Sequence, residues 1–344
     1  MKTEEREREP RRPVVRGAAA LAFLMALVTP LLSAAQVIKL AILVPDGSVW
    51  DKELHRMGSE WEKESGGEVK LRIYPGGVAG DEGDVLRKMR IGQLDAATLT
   101  TGGLGEIEPS FFVFSTPLFF ESYEELHYVR ERLAPILVER LRNAGYELLS
   151  WGHAGWMHVF STQAVRSVED VKRLKIFVPA GDEQMIQWWK RNGFRPVPLA
   201  VTDILTGLQT GMIDVYPATP LAALSLQWFR QTPYMHGLGL APLLGATVMS
   251  RRSWERIDAG VRPRLGAAAR AMGVRLEDEI PRQDASAVEE MSRRGLTVIR
   301  DFDEADWEGA AAALAESMAE MRVPRDIYEM ALEARREFRA GAGR

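Results

Sequence analysis

Short apolar runs alternate with amphipathic segments along the first part of the chain. Residues 37–44 form a near-continuous apolar run of strand length that ends at a Pro-Asp-Gly turn. Apolar side chains recur with helical spacing over residues 50–64, and residues 68–74 alternate as a half-buried strand does. A strand–helix–strand order predicts a parallel sheet in an α/β protein.

A helix–glycine–strand unit occurs twice, in residues 86–97 and 205–216. Each copy reads as the end of an amphipathic helix, then a glycine that can take the positive φ of a helix end, then a hydrophobic-Asp step into an apolar strand. Two such units predict two α/β lobes of similar design. A cleft between α/β lobes binds small molecules at the carboxyl ends of strands.

The second half continues the same alternation. Residues 147–153 and 156–160 are predicted as two strands, Ser167 as a helix cap, and residues 174–179 as a further strand. From Trp254 onward helical patterning dominates, interrupted by one late strand at residues 297–300.

A dense apolar patch covers residues 111–120 and is predicted to be core. A helix is predicted to begin after it at Ser122, where Glu125 can complete a capping box. Another cap is predicted within the acidic residues 81–84, whose order does not match a calcium loop.

The first 35 residues predict an export signal. A basic stretch ends at Arg16, an apolar run follows, and Pro30 precedes a small-x-small end at residues 33–35. Cleavage after Ala35 is expected. The alternative is an uncleaved membrane anchor, because residues 17–35 are just long enough to span a bilayer.

Composition narrows the class of protein further. The chain has no cysteine, so it can form no disulfide and carry no lipid on a thiol. The leader is basic and the whole chain has a formal net charge of −4, so the mature part is more acidic still. This acidity argues against nucleic acid and anionic membrane surfaces as partners.

Several segments resemble, in order and spacing, the periplasmic solute-binding subunits of TRAP transporters, the DctP type. They are residues 92–95, 117–120, 170–179, 196–200 and 208–214. The resemblance extends from residue 37 to about residue 303. It implies a two-lobe α/β clamp with parallel-dominated mixed sheets and a helical C-terminal region, which closes on a ligand and delivers it to TRAP membrane permease subunits.

The resemblance also implies the division of the chain. Lobe I comprises residues 36–154 plus about 243–282, and lobe II comprises residues 155–242 plus about 283–344. The hinge is expected near residues 153–156 and 240–243.

This sequence departs from the family pattern at the positions that usually bind a carboxylate. Phe177 and Met157 stand where the family commonly has arginines, and residues 217–219 lack the usual asparagine. An unpaired carboxylate in a closed cleft costs several kcal/mol. Apolar walls instead favour hydrocarbon, at about 25 cal/mol per Å² buried. We therefore expect an arginine-lacking subgroup with an apolar or amphipathic, lipid-like ligand.

Candidate ligand-binding residues follow from the resemblance and from a concentration of aromatic and methionine side chains that suit an apolar cleft. They are Trp50, Thr100, Thr101, Trp156, Met157, Phe177, Pro179, Asp182, Met185, Tyr216, Pro217, Thr219 and Tyr234. The alternative for each aromatic residue is ordinary core packing, and for Asp182 it is a helix N-cap.

Signals of catalysis are weak. The five histidines lack the i,i+4 metal spacing, and no G-x-S-x-G nucleophile elbow occurs. No catalytic residue, metal or cofactor is therefore expected.

Three hypotheses remain. The preferred one is a TRAP binding protein for an apolar ligand, with a periplasmic helical-repeat (TPR-type) protein as a possible further partner, since some relatives lacking the arginine are linked with one. The second is a TRAP binding protein for an organic acid, held by a relocated arginine or by backbone amides at a helix start. The third is a periplasmic enzyme or scaffold on the same fold.

Overall fold

The computed structural model describes residues 35–342. The predicted signal segment falls outside this range apart from Ala35. Within the described residues no helix combines the length and the apolar character needed to cross a membrane.

The strands of the described part are linked in one mixed hydrogen-bonded network. They are β1 (Gln36–Ala41), β2 (Val69–Tyr74), β3 (Ala96–Thr100), β4 (Tyr146–Ser161), β5 (Lys175–Pro179), β6 (Arg195–Leu199), β7 (Val215–Ala218), β8 (Tyr234–His236), β9 (Ala241–Ser250) and β10 (Thr297–Ile299).

The helices cover both faces of this network and dominate the C-terminal region. They are α1 (Val49–Glu64), α2 (Glu82–Arg90), α3 (Thr101–Ile107), α4 (Tyr123–Asn143), α5 (Val168–Arg173), α6 (Glu183–Arg191), α7 (Ile204–Gln209), α8 (Pro220–Ser225), α9 (Arg251–Glu255), α10 (Arg262–Arg293), α11 (Glu304–Arg322) and α12 (Arg325–Ala342).

Two lobes form around two parts of the sheet. In lobe I the order is β2-β1-β3-β9-β4, with β1 parallel to β2 and β3. In lobe II the order is β4-β7-β5-β6, with β5 parallel to β6 and β7, while β8 and β10 lie on the other side of β4. The prediction of a two-lobe α/β fold with mixed sheets and a helical C-terminal region is confirmed.

Strand β4 belongs to both lobes. It pairs with β9 as far as Met157 and with β7 from His158 onward. The prediction of two separate strands is wrong here. The break between them is a register shift between His153 and Trp156, where the backbone continues in the same direction.

The repeated helix–glycine–strand unit has the same structure in both lobes. Gly92 and Gly211 have φ values of +75° and +68°, as a helix end requires. Asp95 donates its N–H to the carbonyl of Lys39 at 2.9 Å and accepts the Lys39 N–H on Oδ2 at 3.0 Å. Asp214 makes the same pair of bonds with Lys175, at 2.8 and 3.0 Å. The hydrophobic-Asp step therefore fixes the start of one strand against its parallel neighbour.

The apolar patch at residues 111–120 is core, as predicted, since each of its phenylalanines is buried. The capping box after it is only partly formed. Ser122 accepts the Glu125 N–H at 3.1 Å, but the Glu125 carboxylate accepts the N–H of Glu121 and pairs with Arg339 of α12. This buried carboxylate therefore also fastens the C-terminal helix to lobe I.

A buried aspartate ties the long helix α10 to the register shift in β4. Asp284 accepts the N–H of Trp156 at 3.0 Å and the N–H of Leu221, in the first turn of α8, at 2.9 Å. Gly155 has a φ of +110° and lies against this carboxylate. Burial raises the pKa of Asp284 to about 6, although both hydrogen bonds oppose the shift.

Two histidines are buried in the sheet, His153 in β4 and His236 in the adjacent strand β8. His153 is fully buried, stacks on Tyr123 with 4.5 Å between ring centroids, and has no hydrogen-bond partner for either ring nitrogen among the described residues. Burial lowers the pKa values of His153 and His236 to about 4. Both rings are therefore neutral at pH 7.

Gly155→Ala is expected to destabilise the fold by about 2–4 kcal/mol, because its Cβ would overlap the Asp284 carboxylate at a positive φ. The matched control is Gly145→Ala, where φ is +92° but nothing lies within 4 Å of the new Cβ. The control should lose only about 1 kcal/mol. Urea unfolding measures both, and equal losses would contradict the packing role of Gly155.

Stability should depend on pH through these buried groups, with opposite signs. The histidines bind protons more readily in the unfolded chain, so their contribution is lost as the pH falls from 6.5 towards 4. Asp284 binds its proton more readily in the folded chain, so its contribution is lost as the pH rises from 4 to 6.

Asp284→Asn removes the carboxyl group whose titration opposes the effect of the two histidines on stability. The free energy of unfolding of this variant should therefore rise more steeply between pH 4 and 6.5 than that of the unmodified chain, by up to about 3 kcal/mol. Urea unfolding across this pH range tests this, with the exposed Asp46→Asn as the control. Parallel curves for all three proteins would show that Asp284 does not titrate in this range.

Candidate functional site

The carboxyl ends of the strands in the two lobes border an interlobe cleft. On the lobe I side a cavity of about 50 Å³ lies at the ends of β1 and β3 and reaches Ala154 in β4, where the hinge is expected. Its walls are mainly apolar and include Val44 and Trp50. Gly77, between β2 and α2, lies against Thr202 of lobe II, so the two lobes approach each other beside this cleft.

A buried carboxylate lies in the lobe I wall of the cleft. Glu82 accepts hydrogen bonds from the Thr100 N–H at 2.6 Å, from the Thr100 hydroxyl at 2.8 Å and from the Gly103 N–H at 2.8 Å. Burial raises the pKa of Glu82, although these three hydrogen bonds oppose the shift. The donors at the start of α3, where an anion would otherwise bind, are thus occupied by the chain itself.

The same arrangement occurs at two helix starts in lobe II. The Asp182 carboxylate accepts the Met185 N–H at 2.9 Å and caps α6. At the start of α8, Thr219 accepts the Ala222 N–H and Asp284 accepts the Leu221 N–H. Since side chains of the protein already engage these amides, they offer a ligand carboxylate no ready binding place.

One arginine contacts side chains of both lobes. Arg322, the last residue of α11, lies 2.8 Å from Oδ2 of Asp182 in lobe II. Its guanidinium carbon lies 3.5 Å from the ring centroid of Phe112 in lobe I. The Arg322 side chain is only 17% exposed, and burial lowers its pKa while Asp182 opposes the shift. Burial and the nearby carboxylates Asp81 and Asp182 raise the pKa of Glu106.

Several predicted site residues do lie along the cleft. Trp50 and Thr100 line the small cavity, and the indole N–H of Trp50 donates to the carbonyl of His153 at 3.3 Å. The others lie in the last two residues of β5 and β7 or in the segments after β3, β5 and β7, and they are Thr101, Pro179, Asp182, Met185, Pro217 and Thr219. Asp182 is the N-cap that the alternative interpretation predicted.

Other predicted site residues lie elsewhere. Phe177 is buried in the core of lobe II. Tyr216 is fully buried, stacks on Phe160 and hydrogen-bonds to Thr232 at 3.1 Å. Tyr234 pairs with Ser161 at the opposite end of the lobe II sheet from the cleft edge. Ligand contact by these three residues stays a prediction, and their positions in the fold do not support it.

A second and much larger cavity, of about 900 Å³, lies beside β4. We name it the hinge groove. Its walls are residues 117–121, Trp156 and His158 of β4, residues 238–239, and helices α11 and α12. Met157 follows Trp156 in the same strand and therefore points to the opposite face. Trp156 and Met157, predicted to line one site, are directed to different sides of β4.

Sequence reasoning missed Glu82 and Arg322. Asp81 caps α2 as predicted, but nothing near Glu82 in the sequence indicates that its carboxylate folds back onto α3. Arg322 lies far along the chain from its partner Asp182, and an arginine at a helix end is usually solvated. Within residues 35–342 no group of three or more histidine, aspartate or glutamate side chains could hold a metal ion.

Comparison with known proteins gives the family. Residues 40–322 match the model of the bacterial extracellular solute-binding proteins, family 7, DctP. The sialic acid-binding periplasmic protein SiaP of Vibrio cholerae is 22% identical over 271 residues, covering 77% of this chain and 83% of that protein. A solute-binding protein of Chromohalobacter salexigens is 30% identical over 169 residues. That match spans only 47% of this chain and about half the length of that relative, 49%.

Solved structures show the same fold. A TRAP periplasmic solute-binding protein of Xanthobacter autotrophicus Py2 with bound β-D-galacturonate has a TM-score of 0.80 at 19% identity, covering 87% of this chain and 99% of that chain. DctP7 of Bordetella pertussis, which binds pyroglutamic acid, has a TM-score of 0.80 at 16% identity, covering 88% and 100%. The family match extends over most of the chain and agrees with the two-lobe fold, so the chain belongs to the DctP family of TRAP solute-binding proteins.

Proposed function

We propose that this chain is the periplasmic subunit of a TRAP transporter and captures a small organic acid in the interlobe cleft. The similar structures support an acid, since their bound ligands are galacturonate, glucuronate, erythronate and pyroglutamic acid. This reverses the order of the hypotheses drawn from the sequence, because the apolar ligand expected there finds no support among these proteins.

The ion pair between Arg322 and Asp182 is the observation that carries this proposal. A carboxylate entering a closed cleft needs a cationic partner, and Phe177 and Met157 provide none. Arg322 is a partly desolvated guanidinium at the start of α6, and its partner there is a carboxylate of the chain itself. A ligand carboxylate of the same geometry can replace Asp182 and pair with both guanidinium nitrogens.

The same pair suggests how binding is coupled to closure. Arg322 packs on Phe112 of lobe I, and Asp182 belongs to lobe II, so their contact favours approach of the lobes. A ligand that contacts both lobes stabilises the closed form more than the open one. We expect the TRAP membrane subunits to recognise the closed form.

A second candidate is the apolar or amphipathic ligand that the sequence suggested. It is favoured by the apolar walls of the small cavity and by the engaged helix-start amides. The helical-repeat partner, the cleavage after Ala35 and the lobe boundaries at residues 154–155, 242–243 and 282–283 remain proposals as well.

Arg322→Gln should weaken binding of the acid ligand by roughly 10–100-fold, because one charge-assisted pair is lost. Isothermal titration with galacturonate, glucuronate, erythronate and pyroglutamate measures this on the mature chain. Asp182→Asn should bind the same acid at least as tightly, since it releases Arg322. The control is Arg325→Gln, which removes an exposed arginine of α12 that pairs with Glu329.

Two results would contradict the acid proposal. One is an Arg322→Gln variant that binds the acid as tightly as the unmodified chain does. The other is no binding of any acid together with a stoichiometric apolar molecule in a solvent extract of the natively purified protein. In that second case Phe177→Arg should weaken the apolar ligand, because it would bury an unpaired charge.

A further inference from the structure

The hinge groove is a concave site distinct from the interlobe cleft. Its volume of about 900 Å³ is within the range of small-molecule sites. Trp156 and His158 contribute to its wall from one face of β4, whereas the small cavity reaches β4 at Ala154. No residue is shared between the linings of the two cavities.

Negative charge follows one wall of this groove. Glu304, Glu308 and Glu316 of α11 line it at positions that differ by multiples of four, together with Ala312. Residues at this spacing lie along one stripe of a helix. Among the described residues none of the three glutamates forms an ion pair, and all three are exposed at the rim.

The positive charge that reaches the groove is already engaged. Arg335 of α12 donates to the carbonyl of Phe119 at 3.1 Å, and its guanidinium carbon lies 4.4 Å from the centroid of the Phe119 ring. Glu121, on the opposite rim, pairs with Arg339. The lining of the groove contains four glutamates and one arginine, so its net charge is negative.

Aromatic rings form the other walls. Trp156 and Tyr328 line the groove with partly exposed rings, whereas Phe119 and Phe120, which also border it, are buried. Trp156 is held edge-on against Tyr123 with 5.3 Å between ring centroids. Aromatic faces attract organic cations and also pack against their methylene groups. A row of carboxylates facing aromatic rings is complementary to a ligand that alternates positive charge with hydrocarbon.

We propose that the hinge groove binds a linear aliphatic polyamine. The stripe from Glu304 to Glu316 rises about 18 Å along α11, long enough for several ammonium groups spaced along one extended chain. Each ammonium group would meet a carboxylate on α11, and the methylene segments would lie on the aromatic wall.

The position of the groove couples its occupant to the hinge. The segment at residues 117–121 comes from lobe I, residues 238–239 lead from lobe II towards β9, and the Leu118 N–H donates to the carbonyl of Leu240 at 2.7 Å between them. A ligand that bridges these walls favours one arrangement of the lobes, and by linkage the ligand in the cleft then affects polyamine affinity.

Isothermal titration of the mature chain with spermidine at 150 mM salt tests the proposal. The combined variant Glu304→Gln, Glu308→Gln and Glu316→Gln should bind spermidine at least 10-fold more weakly. The matched control removes the same charge from exposed glutamates elsewhere, with Glu131→Gln, Glu139→Gln and Glu289→Gln. It should bind spermidine as the unmodified chain does. Tyr328→Leu should weaken binding about 3-fold through the lost ring.

Equal spermidine affinity in the two triple variants would overturn the proposal, because binding would then follow net charge alone. Displacement of spermidine by Mg²⁺ at the same charge concentration would overturn it for the same reason. A groove that ignores spermidine but binds a lysine-rich peptide, with loss in the α11 triple variant, would assign it to a protein partner instead. Titration of the acid ligand in the same variants reports on the cleft separately.

Discussion

Strand β4 carries the hydrogen-bond ladders of both lobes, and the relation between the lobes depends on it. Its first part is held by β9 and its last part by β7 and β8. The backbone is continuous, and the ladders of the two lobes meet at the register shift near Gly155, where the hinge is expected. Asp284 of the long helix α10 accepts hydrogen bonds from Trp156 at this point and from Leu221 at the start of α8. One carboxylate therefore connects β4 to both helices.

Three helix starts at the ends of strands are engaged by carboxylates of the protein itself. Glu82 occupies the start of α3, Asp182 caps α6, and Asp284 contributes to the start of α8. The acid ligand that we propose would exchange with one of these groups. Exchange at Arg322 costs least, since the displaced Asp182 is partly exposed and returns to water, whereas Glu82 is buried with three hydrogen bonds.

The small cavity in the lobe I wall of the cleft and the hinge groove both reach β4, the first at Ala154 and the second at Trp156 and His158. The cleft presents engaged amides and one arginine, whereas the hinge groove presents free glutamates and aromatic rings. Under the two proposals, an anion in the cleft and a cation in the hinge groove would each bias the same closure. This is a thermodynamic coupling that requires no contact between the two ligands.

The sequence by itself determined the features that depend on neighbouring residues. These are β1, α1 and β2 at the start of lobe I, the glycine and aspartate of the repeated unit, the phenylalanine core and the caps at Ser167 and Asp182. Together with the order of motifs they were sufficient for the fold and the family. Only the tertiary structure decided that β4 is continuous, that Arg322 meets Asp182, that Glu82 folds onto α3 and that Tyr234 lies far from the cleft. The physical reason is that periodicity and capping are local, whereas these contacts join residues distant in the chain whose proximity is set by the order of strands in the sheet.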